Sequence, residues 1–287
     1  MIFNGGVYKE KVTRESYYIN NTPSSHPSGN ICLLTDNNGT ITSEVLPEPF
    51  GDDTYYDVLS YYLENDELRS NVIVNNDYIT VTDSNAETFD LVANVNTYYS
   101  SSDGNGGTIG THIDFISKTL YNDYSAMRTT DTTNGSSTYP NPFMNSETIT
   151  AFLTTRASRL PEGLRSHIVN KRCQAPTRGT STSSSSDNGS TWVDLGSNSG
   201  GLWLPFRKEI WGQPEGSYEG YFIQYPSLNG TSIGQRVKYR NGSAGFWWTA
   251  SASSGNSDAF VDVDSDGPYD YDTAYYPLGV PLCFRFK

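Results

Sequence analysis

The chain has 287 residues, enough for one large domain or two modest ones with a real core. Only 18% of residues are charged, and the net charge of −13 with a pI near 4.6 gives a surface that repels phosphate backbones, which excludes nucleic acid as an expected partner. No apolar run approaches a membrane span, and the odd, scattered set Cys32, Cys173 and Cys283 suits small buried residues, neither a disulfide framework nor a metal site.

The opening Met-Ile-Phe-Asn-Gly-Gly has no basic or apolar leader segment, so synthesis and folding are expected in a cytoplasm. Residues 1–50 read as β-structure with long turns. Tyr17-Tyr18-Ile19 is a strand candidate, and Ile31-Cys32-Leu33-Leu34 and Thr40-Ile41-Thr42 flank the turn signal Asn37-Asn38-Gly39 as a hairpin. Tyr55, Leu59, Tyr62 and Leu63 recur at helical spacing, so one short helix is predicted over 53–63, with Asp52 or Asp53 as its cap. Val72-Ile73-Val74, Tyr78-Ile79-Thr80-Val81 and Phe89 to Val95 return to strand. The run SSSDGNGG at 100–107 is the natural boundary between a domain at 1–103 and a domain at 104–287.

Beyond that boundary, His112-Ile113-Asp114-Phe115-Ile116 reads as a strand or short helix. Residues 146–156 and 162–171 read as helices, with Ile149, Phe152 and Leu153 on one apolar face and Leu164, Ile168 and Val169 on the other. The Ser/Thr/Gly-rich stretch 174–201 reads as a surface excursion without a core of its own. Trp203 to Phe206, Ile210 to Gly212 and Tyr221 to Pro226 supply the aromatic core. No heptad appears, so a homo-oligomer, a trimer among the options, would not form through a coiled-coil stalk.

Two apolar blocks, Phe246-Trp247-Trp248 and Leu282-Cys283-Phe284-Arg285-Phe286, bracket a small, acidic and tyrosyl segment. Bulky aromatics are costly in water, so the blocks read as core strands holding up a polar loop and hairpin. From Thr249 to Phe286 the chain has no Lys, Glu, Gln, Met or Trp, the residues that pyrimidine-ending codons cannot specify. Adenine-directed diversification of AAY codons samples that restricted set; a hairpin surface that simply lacks long side chains has the same composition.

The ordered motifs HIDFI, LPEGLRSHIVNK, LWLPFRKEIWG, FIQYPSL, GFWWTAS and GVPLCFRFK resemble a family of bacteriophage and gut-bacterial proteins ending in WWTxS…PLCFRI. That family includes the variable proteins of diversity-generating retroelements. The resemblance covers residues 107–287 and implies a C-type-lectin-like fold whose WWTAS and PLCFRF blocks are core strands, with the segment between them facing the ligand. Many relatives carry an arginine before the last motif, where this chain has Gly279-Val280. The fold class expected is therefore α+β, a C-type-lectin-like display domain preceded by a smaller, mainly β domain. In phage fibres such a leading segment attaches to other virion proteins.

The expected ligand-binding residues are Asn256, Asp258, Asp262, Asp264, Asp266, Tyr269, Tyr271, Asp272, Tyr275 and Tyr276. Tyrosine offers a large contact area, little rotamer entropy to lose and a hydroxyl. Asp262-Val263-Asp264-Ser265-Asp266-Gly267 matches the opening of a calcium loop, but Thr273 stands where the bidentate Glu belongs. A hairpin with Val261 and Val263 inward and its aspartates outward explains the spacing without calcium at Asp262, Asp264 and Asp266. Gln213-Pro214-Glu215 resembles a lectin sugar tripeptide without its partner motif. His26, His112 and His167 are isolated and no nucleophile motif occurs, so neither an enzyme nor a cofactor is expected. The expected function is a phage virion protein, a fibre or tail-tip adhesin located on the virion, binding a host surface glycan or protein. The alternative is a capsid or tail decoration protein without a receptor site.

Overall fold

The computed structural model describes residues 75–95, 102–229 and 233–287, the backbone of three short strands before them, and single residues at 56, 59, 60, 63 and 73. The early strands β1 (Ser16–Ile19), β2 (Ile31–Thr35) and β3 (Ile41–Val45) form an antiparallel sheet in that order, so the hairpin expected around Asn37-Asn38-Gly39 is present as β2–β3. Tyr56, Leu59, Ser60 and Leu63 are helical, with Leu59 and Leu63 buried, in keeping with the helix expected there. Tyr55, Tyr62, Val72 and Val74 lie outside the described residues; Ile73 is buried but not in a strand.

The main sheet is built on β6 (Ile113–Leu120). One edge of β6 pairs antiparallel with β15 (Pro281–Phe286). Its other edge takes β5 (Thr88–Val95) along the first half and β10 (Lys238–Arg240) at Thr119. β4 (Tyr78–Thr82) extends the sheet beyond β5, β11 (Ser243–Gly245) beyond β10, and β7 (Ile168–Val169) beyond β15. Every residue of β15 is buried, because this strand has neighbours on both edges and packing on both faces. The architecture is mixed and mainly β, with sheets that are almost wholly antiparallel.

The main sheet runs across the boundary expected at 103/104. β5 lies before that point and β6 after it, yet Leu91 to Val95 pair with Ile113 to Ser117. Leu59, Leu63, Ile79, Phe89 and Leu91 belong to the same hydrophobic cluster as Phe115 and Phe286. The described part of the Gly- and Ser-rich run, residues 102–107, forms a turn on the way from β5 to β6. The Asp103 Oδ1 accepts the Asn105 and Gly107 N–H groups there at 2.7 and 2.9 Å.

Helix α1 (Glu147–Ala157) falls where its periodicity predicts, burying Ile149, Leu153 and Ala157. The helix expected over 162–171 is only α2 (Glu162–Arg165). Ile168 and Val169, β-branched and suited to extended backbone, leave it to pair with β15. Lys171 then opens β8 (Lys171–Pro176), which pairs with β9 (Ser190–Leu195). Cys173, Ala175, Val193 and Leu195 of that hairpin are buried, so residues 174–201 hold more core than their composition suggests. Helix α3 (Arg207–Trp211) follows the buried Trp203 to Phe206 segment, while Tyr221 and Ile223, expected in the core, are exposed.

Behind the sheet lies a buried ionic network. Arg285 and Asp114 are direct cross-strand neighbours, and the guanidinium grips the carboxylate with two bonds of 2.7 and 2.9 Å. Lys171 Nζ lies 3.1 Å from the same carboxylate, also pairs with Glu209, and donates to Tyr225 Oη at 3.2 Å. Rings of Trp203, Phe222 and Tyr225 enclose the ammonium. Burial alone would raise the Asp114 carboxyl, but the Arg285 and Lys171 charges outweigh it and hold it well below the usual carboxylate range.

Candidate functional site

A three-stranded antiparallel sheet, β12 (Trp247–Ala252), β13 (Ala259–Val263) and β14 (Tyr269–Thr273), carries the bracketed segment, with β14 at its edge. The block Trp247-Trp248 anchors it. Trp247 Nε1 donates to the Arg236 carbonyl at 3.0 Å and Trp248 Nε1 to the Ser125 carbonyl at 2.8 Å, and both rings are fully buried. Phe246, expected to join them, is exposed. The backbone of Trp248 donates to Gly279 and Gly279 donates to Phe246, tying this sheet to the run into β15. A side chain at Gly279 would place its Cβ 2.5 Å from Leu120 Cδ1 and 2.7 Å from the Phe246 carbonyl oxygen. The closeness of these two segments leaves no room for a side chain at this position.

In the β13–β14 register Val261 faces Tyr271, Asp262 faces Asp270 and Phe260 faces Asp272. Successive side chains on a strand point to opposite faces, so Tyr269-Asp270-Tyr271-Asp272 separates its tyrosines from its aspartates. The one ligand surface expected from sequence is two surfaces.

On the tyrosine face, the rings of Tyr269 and Tyr271 meet edge to face at 6.0 Å. The Arg207 guanidinium stacks 3.7 Å above Tyr269, and Trp211 meets the same ring edge-on at 5.7 Å. Tyr271 Oη donates to Glu215 at 3.0 Å, the second Glu215 oxygen accepts the Ser254 N–H at 2.7 Å, and Glu215 also pairs with Arg207. Burial and the Glu215 charge push the Tyr271 phenol up to about 12, which keeps it a donor. Tyr275 and Tyr276 follow on a turn closed by the Tyr276 N–H to the Thr273 carbonyl, and are 53% and 49% exposed. Arg207, Trp211 and Glu215 were not among the expected site residues; their signal lies only in the fold, which brings α3 beside the hairpin.

Residues 253–258 between β12 and β13 are held from beneath by Arg178, a buried side chain of the Ser-rich excursion. Its guanidinium donates to the carbonyls of Ala252, Ser253 and Asn256 and to Thr133 Oγ1. Asn256 is exposed with its carbonyl taken by this clamp, and the Asp258 carbonyl accepts the Ala274 N–H at 2.7 Å. Both residues position the loop through backbone and leave their side chains to solvent or to its edge.

The aspartate face departs from expectation. Asp262 was expected to point outward, but it is buried, because β13 is the middle strand and carries packing on both faces. Among the described residues, no other residue donates a hydrogen bond to either of its carboxylate oxygens. Burial first, then the neighbouring Asp272 and Asp270 carboxylates, push its carboxyl up to about 8. Asp264 is half-buried and accepts the Ser265 N–H, and Asp266 is exposed at the tip, where Gly267 supplies the positive φ of +106°. The three aspartates of the calcium-like motif therefore sit in three different environments. Among the described residues no group of three His, Cys, Asp or Glu side chains is placed to hold a metal ion.

Elsewhere, a cavity of about 450 Å³ opens beside Ser117, Ser227, Leu228, Lys238 and Tyr239, away from every expected site residue. No helix among the described residues is long and apolar enough to cross a membrane. Comparison with protein-family models, with curated proteins and with solved structures finds no match for this chain.

Proposed function

We propose that this chain is a phage virion adhesin, of fibre or tail-tip type, that binds a host surface glycan or protein through the β12–β14 sheet and its loops. One observation carries the reading. Four tyrosines, Tyr269, Tyr271, Tyr275 and Tyr276, stand exposed on a hairpin whose base is fixed by buried tryptophans, the Arg178 clamp and the Glu215 bridge. Exposed aromatics on a fixed support lose little entropy on binding, which favours recognition over simple surface cover. The lectin-like family resemblance, the residue set of 249–286 and the acidic surface agree with it. The earlier segment would then attach the protein to other virion components, and a homo-oligomer, a trimer among the options, would multiply weak contacts.

The test is adsorption of the full chain to whole host cells and to a glycan array, beside a variant with Tyr271, Tyr275 and Tyr276 changed to Ala. Saturable binding that the variant loses supports the adhesin. A wild-type chain that is folded and binds nothing overturns it in favour of a decoration protein.

A further inference from the structure

Among the described residues, the other fully buried carboxylates from residue 114 onward are answered. Asp114 has Arg285 and Lys171, Glu209 has Lys171 and the Phe206 N–H, and Glu219 accepts the N–H groups of Lys208 and Glu215. Asp262 stands apart, since both its oxygens are buried and no other residue among the described residues donates a hydrogen bond to them. Asp270 lies directly across from it on β14, Asp272 lies one pair along on the same face, and Asp264 follows two residues on in the chain. None of Asp258, Asp262, Asp264, Asp266, Asp270 and Asp272 pairs with a Lys or Arg among the described residues. Carboxylates opposite one another on a sheet repel, and an unanswered buried carboxyl costs free energy. Both costs fall if a cation comes from outside the chain.

We infer that the aspartate face of the β13–β14 hairpin binds a primary ammonium group of the ligand, seated at the exposed Asp270 and the half-buried Asp272 above Asp262. The inference rests on the adhesin reading and names the chemistry that the surface selects. An ammonium is preferred over a metal ion because no trio of carboxylates here converges on one point. It needs only separate acceptors within reach of its three N–H donors. The protein already treats a cation this way on the opposite face of the hairpin, where Arg207 sits against Tyr269 and Glu215.

A seated cation favours the ionised form of Asp262, so binding releases a proton from it. The charged groups that act on Asp262 are Asp272 and Asp270 of β14 and Asp264 at the end of its own strand, all acidic. Affinity for an amine therefore rises as pH rises from 6 towards 8.

The experiment is calorimetric titration of the full chain with a glucosamine tetramer, its fully N-acetylated counterpart and trilysine, at pH 6 and pH 8. The expected result is binding of an amine-bearing probe that is weakened about tenfold or more by N-acetylation of the sugar or by the D270N/D272N double substitution. Asp262→Asn should remove the rise of affinity with pH. Which amine binds, sugar or peptide, identifies the source of the ammonium. Equal binding of the acetylated sugar, or unchanged amine binding by D270N/D272N, overturns the inference. Failure of every amine probe while cell adsorption remains tyrosine-dependent overturns it and leaves the adhesin reading standing; loss of both overturns both.

Discussion

The strands β6 and β15 and the hairpin β13–β14 treat buried acids in opposite ways. In the frame, Asp114 is gripped by Arg285, approached by Lys171 and surrounded by aromatic rings. In the hairpin, Asp262 is equally buried and, among the described residues, no other residue donates a hydrogen bond to it. A satisfied network fixes one arrangement of strands, whereas an unsatisfied carboxyl is a standing cost that a partner can remove. The difference separates residues that keep the fold from residues kept despite it.

The sharpest way to break this comparison is to start the chain at residue 104. Such a piece lacks β4 and β5, leaves half an edge of β6 unpaired and removes Phe89 and Leu91 from the core, so it is expected not to fold. A native-like near-ultraviolet circular dichroism spectrum would show that the frame ends where composition suggests. Next in size, Arg285→Ala strands Asp114 beside Lys171 alone and should cost about 3–5 kcal/mol in urea denaturation. Trp248→Ala empties a fully buried indole site and should cost a similar ~3–5 kcal/mol.

Asp262→Asn sharpens the comparison from the other side. Its folded pKa of about 8 lies above the ordinary 3.8, so the native state keeps a proton that the unfolded chain releases. Stability from this group is full below pH 4 and is lost as pH rises towards 8. The variant should therefore be more stable than wild type at pH 9, by about 1–3 kcal/mol, with the gap closing on acidification. A gap of constant size across pH would remove Asp262 as the titrating group. The smallest effect on the fold belongs to the exposed tyrosines: Tyr275→Ala and Tyr276→Ala should each change stability by no more than ~0.5 kcal/mol while adsorption is lost.

The sequence made part of this visible. Periodicity placed α1, β4 and β5, and bulk placed Trp247 and Trp248 in the core. A Gly- and Ser-rich run such as 100–107 suits a turn between two strands of one sheet as well as a linker, and only pairing tells the two apart. Alternation correctly put Val261 and Val263 inward, but it could not reveal that a middle strand buries its other face too. Arg178 and Arg207 were not legible at all, and Glu215 stood out only as part of a tripeptide without its partner motif. Each reaches the hairpin from a segment tens of residues away in the chain, and nothing local to those segments marks the reach.

Arg285 and Asp114 meet across 171 positions of chain. The entropy of closing so long a loop grows only with the logarithm of its length, so each doubling adds merely ~0.6 kcal/mol. That closure is made in the frame, by β6 and β15, so changing the exposed side chains of β14 leaves it in place. The exposed positions of the hairpin can therefore vary in side chain at little cost to the fold, which makes it a region where new specificities can be tried without first rebuilding the protein.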